Sequence, residues 1–346
     1  KTKIVVYVFS ILCAILFVQT VSYSQSVWTT QYIGNIGGNQ LRRVQFVNQY
    51  IGWACGGGGT LLKTTNGGDT WISMNTGSTS YLTCINFIDE NTGWIGSQQA
   101  VVKKTTNGGI SWYSAPLTTN DFSADFYFLN SQTGFVTSHD NKIHKTTNGG
   151  LTWNLLISSS YAYGQIQFFD ANTGVVVAPN YFAKSNDGGA SWTRILYDGV
   201  NQAMTFLNQQ TGWITGTSGI RKTTDGGDTW SSYGIPIQTP YALKFFNANI
   251  GWCAGSDGSN GVIARTLNGG VNWTVQAIEA GNVFWEMSFI NQNSGWASGN
   301  AIISSTTTGG LVSISQISAE VPQSFSLKQN YPNPFNPSTK ISFDIN

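Results

Sequence analysis

One spacing returns seven times along this chain of 346 residues: a Phe, an Asn or Asp two positions on, and a Gly four positions after that, usually followed by Trp. The glycines are Gly52, Gly93, Gly134, Gly174, Gly212, Gly251 and Gly295, and they fall 38 to 44 residues apart. A second pattern, Thr/Ser-x-Asn/Asp-x-Gly-x-Thr/Ser-Trp, sits between them. It runs Thr64 to Trp71, Thr105 to Trp112, Thr146 to Trp153, Ser185 to Trp192 and Thr223 to Trp230. Thr266 to Trp273 is a sixth copy with Asn272 for the hydroxyl residue, and Thr306 to Ser313 is a degraded seventh without Trp.

A unit of about 40 residues with four strand-length segments cannot bury its faces alone and must stack on neighbours, which is the physical requirement of a propeller blade. The expectation is an all-β, seven-bladed β-propeller. In each unit strand A ends at the Phe, strand B starts at the Gly, strand C ends at Lys-Thr, and strand D starts at the boxed Trp. In the fifth unit this places strand A at Gln202 to Phe206, strand B at Gly212 to Gly216, and the end of strand C at Lys222. Trp28 lies 24 residues before Gly52, close to the 22 between Trp71 and Gly93, and so reads as a strand D that no box precedes. The last unit lacks that strand. The N-terminal strand at Trp28 is therefore predicted to complete the seventh blade, a velcro closure that leaves no open edge.

The boxes resemble the Asp-box repeats of sialidases, sortilin-type receptors and several glycoside hydrolases. With its GW and KTTNGGxTW elements, the longer unit more closely resembles the photosystem II assembly and stability factor family of seven-bladed propellers, over about residues 28 to 313. Such a likeness implies a fold far more strongly than a function. Within the boxes, Asn66, Asn107, Asn148, Asp187, Asp225 and Asn268 are expected to be structural, bonding nearby backbone N–H groups while the paired glycines take positive φ and the Trp packs against the turn and the next blade. Six equivalent corners do not all do chemistry.

Twelve of the 13 tryptophans fall in the two repeat columns, and Trp285 alone is off pattern. The A-to-B turns and boxes keep constant spacing and share one face, whereas the D-to-A and B-to-C connections vary and share the other. Variable loops on a rigid frame are where binding is expected. Strand A lines the central channel and begins at that variable face. Two-residue alternation puts a polar set on one side of these strands. Arg42, Arg43, Asp125, Lys244 and Glu286 are candidates to converge at the channel mouth beside Tyr241 and Trp285; the simpler alternative is an Arg43–Glu286 pair that ties the first blade to the last. His139, Asp140 and His144 are expected in an exposed hairpin, without a metal.

Only 10% of residues are charged and the formal net charge is +1, which argues against a nucleic-acid partner. The propeller offers five arginines, Arg42, Arg43, Arg194, Arg221 and Arg265, and among them no trio placed for a sialidase-like site. Asp125 and Glu286 could serve a two-carboxylate glycosidase, but they belong to different blades. A binding or scaffold module, taking an unidentified protein or glycan, is favoured over an enzyme. A glycan hydrolase and an assembly factor like the resembled family are the alternatives. No cofactor is implied. Cys55, Cys84 and Cys253 have no metal-ligand spacing; a Cys55–Cys84 bridge is conceivable, and buried free thiols are favoured.

At the N-terminus, Lys1 and Lys3 precede an apolar run from Ile4 to Val18, with Ser22 and Ser24 ahead of a cut before Gln25. Residues 1–24 read as a secretory signal peptide, so no transmembrane span is expected in the mature protein. The propeller is assigned to 25–315 and a linker to 316–326. From Leu327 onward, LKQNYPNPFNP closely resembles the start of the C-terminal sorting domain of type IX secretion cargo. That resemblance implies a β-sandwich-like module, truncated at 346, export through the periplasm of a Gram-negative bacterium to the medium or outer surface, and the type IX machinery as a partner.

Overall fold

The computed structural model describes residues 28–33, 40–99, 101–117, 123–138, 142–158, 164–178, 181–196, 203–216 and 219–309, together with the backbone of short strands between 325 and 345. Seven antiparallel four-stranded sheets follow one another in the first of two compact units, residues 1–311. Blade 6 shows the plan: strand A Thr239–Phe245, B Gly251–Ser256, C Asn260–Thr266 and D Thr274–Ala280, paired in that order. In blade 5, strand B is Gly212–Gly216 as expected, while strand C runs one residue further, to Thr223.

The Phe–Gly spacing has a steric cause. A Cβ placed on any of the seven strand-B glycines would lie 2.2–2.6 Å from the ring of its own blade's Phe, so the ring lies flat over bare backbone. Between them, the Asn or Asp closes the turn: Asn48 Oδ1 accepts the N–H groups of Tyr50 and Ile51, both at 2.8 Å, and the same pair of bonds recurs at Asp89, Asn130, Asp170, Asn208, Asn247 and Asn291. In the box, Asn66 Oδ1 accepts from Thr70 N–H at 3.0 Å and Thr64 Oγ1 accepts from Gly68 N–H at 2.9 Å. Asn107, Asn148, Asp187, Asp225 and Asn268 repeat the first bond. These side chains spend their acceptors on the backbone they turn.

Packing between blades falls to the other Trp column. The boxed Trp meets its own blade's Phe edge-on, as in Trp71 on Phe46 and Trp112 on Phe87, and Trp230 also meets Phe182 of the preceding blade. The strand-B aromatic makes the joint instead, stacking flat on the Phe of the following blade: Trp53 on Phe87, Trp94 on Phe128, Phe135 on Phe168, Trp213 on Phe245, and Trp296 back onto Phe46. Centroids are 3.5–3.8 Å apart. Each such pair contributes about 0.5–1.5 kcal/mol beyond its buried area. Where Val175 replaces the aromatic in blade 4, Phe182 of strand C stacks on Phe206 in its stead.

The ring closes as the phase of the repeat predicts. Thr29–Tyr32 pairs antiparallel with Ile302–Thr306 and is the outermost strand of blade 7, and Trp28 is 3% exposed against Phe289. Thr30 also donates to Glu279 of blade 6. The three propeller cysteines are buried free thiols; burial raises all of them, Cys55 to about 12.

The second unit, residues 312–346, contains two strand pairs, Phe325–Leu327 with Phe343–Ile345 and Tyr331–Asn336 with Ser338–Lys340. Residues 1–24 and 316–324, read as leader and most of the linker, lie outside the described residues. No helix among the described residues is long and apolar enough to cross a membrane.

Candidate functional site

Strand A is the innermost strand of each blade, and its alternation is interrupted near its start. In blades 1, 2, 3, 6 and 7 the register with strand B slips between Leu41 and Arg43, Leu82 and Cys84, Ser123 and Asp125, Pro240 and Ala242, and Phe284 and Glu286. Each slip is a β-bulge, a device that re-aims one side chain out of the ladder. Outside blade 3, the residues so displaced are Arg42, Thr83, Tyr241 and Trp285.

Three of these belong to adjacent blades and form a stack at the variable face. The Arg42 guanidinium lies 4.4 Å from the centroid of the Trp285 ring, and the Tyr241 ring, from the blade on the other side, is 4.6 Å from it at 49°. Trp285 Nε1 donates to Asn300 Oδ1 at 2.9 Å. Tyr81 donates to Gln40 Oε1 at 3.2 Å and, like Tyr241, adds to the field around Arg42. Burial lowers the Arg42 pKa, and Arg43 lowers it further.

Below the stack, Arg43, Asp125, Lys244 and Glu286 line one channel cavity of about 260 Å³ with Gln45, Asn86 and the apolar Ile85 and Met287. Arg43 Nη1 meets Glu286 Oε2 at 3.2 Å, joining blade 1 to blade 7. Burial pulls the Arg43 pKa down, but Glu286 and Asp125 more than reverse it. Burial also pushes the Asp125 carboxyl up to about 7, despite Arg43 and the Ile166 N–H that donates to its Oδ2 at 3.3 Å. Lys244 reaches solvent in the channel, yet the walls around it lower its pKa against the pull of Glu286.

The seven sequence candidates thus fall into two tiers, a mouth stack of Arg42, Tyr241 and Trp285 and a charged cavity of Arg43, Asp125, Lys244 and Glu286. Much of the remaining polar column ties neighbouring inner strands together. Gln45 holds both the N–H and the C=O of Phe87, Gln167 does the same for Phe206, and Ser288 accepts from Phe46 N–H at 2.9 Å. An inner edge strand has unpaired backbone groups, and these side chains pair them. Sequence alternation alone missed Tyr81, Gln40 and Asn300. A signal for the bulges was present: Leu41 and Val44, Leu82 and Ile85, and Phe284 and Met287 are apolar residues three apart, where an unbroken strand would space them by two.

His144 departs from expectation. It is fully buried in strand C of blade 3, because its side chain faces the neighbouring sheet; residues 139–141 lie outside the described residues. The described residues hold no cluster of three or more His, Cys, Asp or Glu able to hold a metal ion. At the opposite end of the channel a wider depression of about 610 Å³ opens among Gln167, Asn208, Gln209 and their neighbours. The side-chain amides of Gln167, Asn208 and Gln209 are already engaged in the turns and inner-strand bonds of blades 4 and 5.

These features define the class: a closed seven-bladed β-propeller with polar and aromatic side chains gathered at one channel mouth. Residues 105–201, from the box of blade 2 to the threshold of blade 5, match the family model described as photosynthesis system II assembly factor YCF48. No curated protein sequence matches the chain. Among solved structures, YCF48 bound to D1 peptide superposes with a TM-score of 0.70 at 19% identity, covering 82% of this chain and 98% of that one. YCF48 from Cyanidioschyzon merolae gives 0.66 at 17%, covering 80% and 98%. The GH74 xyloglucanase from Xanthomonas campestris gives 0.66 at 11%, covering 82% of this chain and 54% of the enzyme. At these identities the likeness shows the fold.

Proposed function

We propose that this protein is an exported scaffold that holds a segment of a partner protein at the channel mouth formed by blades 6, 7 and 1. The carrying observation is the mouth stack. Arg42 lies over the Trp285 ring and the Tyr241 ring packs tilted against it at 4.6 Å, so the face under Arg42 is not open for the flat stacking a sugar ring needs. What the stack offers is edges, a guanidinium and two phenols with Tyr81, the composition of a protein-binding hot spot. The propeller of YCF48 bound to D1 peptide lends the reading support by its fold. The leader-like N-terminus and the sorting-domain-like tail favour action at the cell surface or in the medium, with a partner other than a photosystem.

A glycan hydrolase is the second reading, favoured by one observation: Asp125, raised to about 7, shares a cavity with Glu286, as an acid and its partner carboxylate would. Against it, the cavity of about 260 Å³ is smaller than the roughly 300–1,000 Å³ of sites that bury ligands. The test is an array of surface-protein peptides beside a panel of glycans and chromogenic glycosides, run with the native protein and Trp285→Ala. Peptide capture that falls about tenfold or more in the variant supports the scaffold. Glycoside turnover that Asp125→Asn abolishes would replace it with the hydrolase.

A further inference from the structure

In blades 1 to 5 the last Lys of strand C occupies one repeated position: Lys63, Lys104, Lys145, Lys184 and Lys222. Its partner comes from the next blade's box: Lys63 donates to Gly108 O at 3.1 Å, Lys145 to Gly188 O at 3.2 Å, and Lys184 pairs with Asp228. The strand-B Trp beneath it does likewise. Trp53, Trp94, Trp213 and Trp296 Nε1 each donate to the first Gly carbonyl of the following box, at 2.7–3.3 Å.

Blade 6 has Arg265 at this position, and the following box is the degraded one, with Thr308 where the Asn or Asp stands. The pattern of bonds fails there. Trp252 Nε1, fully buried, has no acceptor. Arg265 is 5% exposed, its guanidinium carbon 4.9 Å from the Trp252 ring centroid, and both Nε and Nη1 are buried without a hydrogen-bond partner. No carboxylate among the described residues pairs with it. A guanidinium does not shed its proton inside a protein, so a buried one is expected to have a counter-charge. Arg265 also forms the wall of a pocket of about 270 Å³ at the rim of blade 6, with Leu267, Asn268, Asn272, Thr274 and Gln276, none of which is charged.

We infer that this pocket is a carboxylate-binding site with Arg265 as its anchor. A guanidinium receives the two oxygens of a carboxylate side by side through Nη2 together with Nε or Nη1. Nε and Nη1 are the donors left without a partner, so a carboxylate that enters past Nη2 meets an unsatisfied second donor, and the amides and hydroxyl around the pocket suit the ligand's remaining polar atoms. The site stands on the rim of the box face, away from the channel mouth, and is independent of the function proposed above. Its carboxylate belongs either to a free small acid or to a Glu or Asp side chain of another protein, and the chemistry recognised is the same.

The experiment is thermal unfolding and isothermal titration of the full chain at constant ionic strength, with acetate, citrate, inorganic phosphate and N-acetylglutamate amide as probes and chloride as the reference. The uncharged N-acetylglutamine amide is the control for the side-chain arm. Carboxylates are expected to raise Tm, with phosphate weaker because its oxygens match the planar fork less well. A response to citrate but not to N-acetylglutamate amide assigns the site to free acids, and the reverse assigns it to a side chain. Arg265→Met keeps apolar cover on Trp252 and removes an unpaired buried charge, so in chloride it should melt no lower than the native protein. Carboxylate binding to it should be weaker by about tenfold or more. A native protein that responds to no carboxylate, or an Arg265→Met protein that responds as the native one does, overturns the inference.

Discussion

Single residues in this protein divide by whether a repeated cause accounts for them. Trp94 stacks on Phe128 and donates to Gly149, as its counterparts do in other blades, so Trp94→Ala is expected to cost about 3–5 kcal/mol and to lower Tm measured by calorimetry. Trp285, half-buried and off pattern, should cost far less stability in the same substitution. Asp125 makes a different prediction, because its pKa is raised on folding from the ordinary 3.8 to about 7. The folded state therefore holds the extra proton between those values. This contribution is fully present below about pH 4, shrinks as pH rises, and is gone above about 7. Asp125→Asn, which keeps the neutral form's shape, should show a smaller fall in Tm than the native protein between pH 4 and 8. Expressed as unfolding free energy, the difference should be on the order of 4 kcal/mol. Equal pH profiles for the two would mean that Arg43 keeps Asp125 ionised throughout. The native slope in this window belongs to a cluster of four, since Arg43, Glu286 and Lys244 face the same cavity.

At the scale of elements, the strand-B glycine and strand-A Phe act as one fitted pair. At Gly93 an added Cβ would sit 2.4 Å from the Phe87 ring, and that ring also carries the stack with Trp53 of blade 1. Gly93→Ala is thus expected to disturb two blades and cost about 1–3 kcal/mol as an overpacked core does. Urea titration would read this directly, and an unchanged midpoint would contradict the fit. The closing strand makes a sharper case. Thr29–Tyr32 completes blade 7 by pairing with Ile302–Thr306, so removing residues 28–33 exposes the edge of strand C. Exposed edges recruit other chains. Size-exclusion chromatography of that variant should show oligomers and calorimetry a lower Tm; a monomer with native Tm would mean the ring does not depend on the strand.

For the whole molecule, seven joints share one design and differ in strength. The joint between blades 6 and 7 stands apart: Trp252 meets Phe289 at 4.5 Å and 34° in place of a flat stack, its indole N–H goes without an acceptor, and Arg265 is unpaired there. The closing strand compensates at the same joint, through Thr30 on Glu279 and Trp28 on Phe289. Export belongs to this scale as well. If the tail is a sorting signal, a chain stopped at Glu320 should accumulate in the periplasm while the chain that keeps the tail reaches the medium, as cell fractionation would detect. Equal secretion of both would remove the tail from the proposal.

Much of the fold was legible in the residue order because its causes are local and repeated. Phe over Gly, Asn or Asp on the turn N–H groups, and the phase of Trp28 each leave a fixed spacing, and counting those spacings yields seven blades and the closure. Which Trp column joins the blades was not legible, since both columns recur with the same period and only the three-dimensional stack tells Trp53 on Phe87 from Trp112 on Phe87. The candidate site was half legible. Alternation brings Arg43, Asp125 and Glu286 to one side of their strands, but a bulge shifts register by one residue and turns Arg42, Tyr241 and Trp285 into a separate stack. Tertiary structure alone decided that Arg265 is left without a partner: pairing in a ring is set by the neighbour's turn, and the lapse in blade 7's box becomes an unpaired charge only when blade 6 is packed beside it.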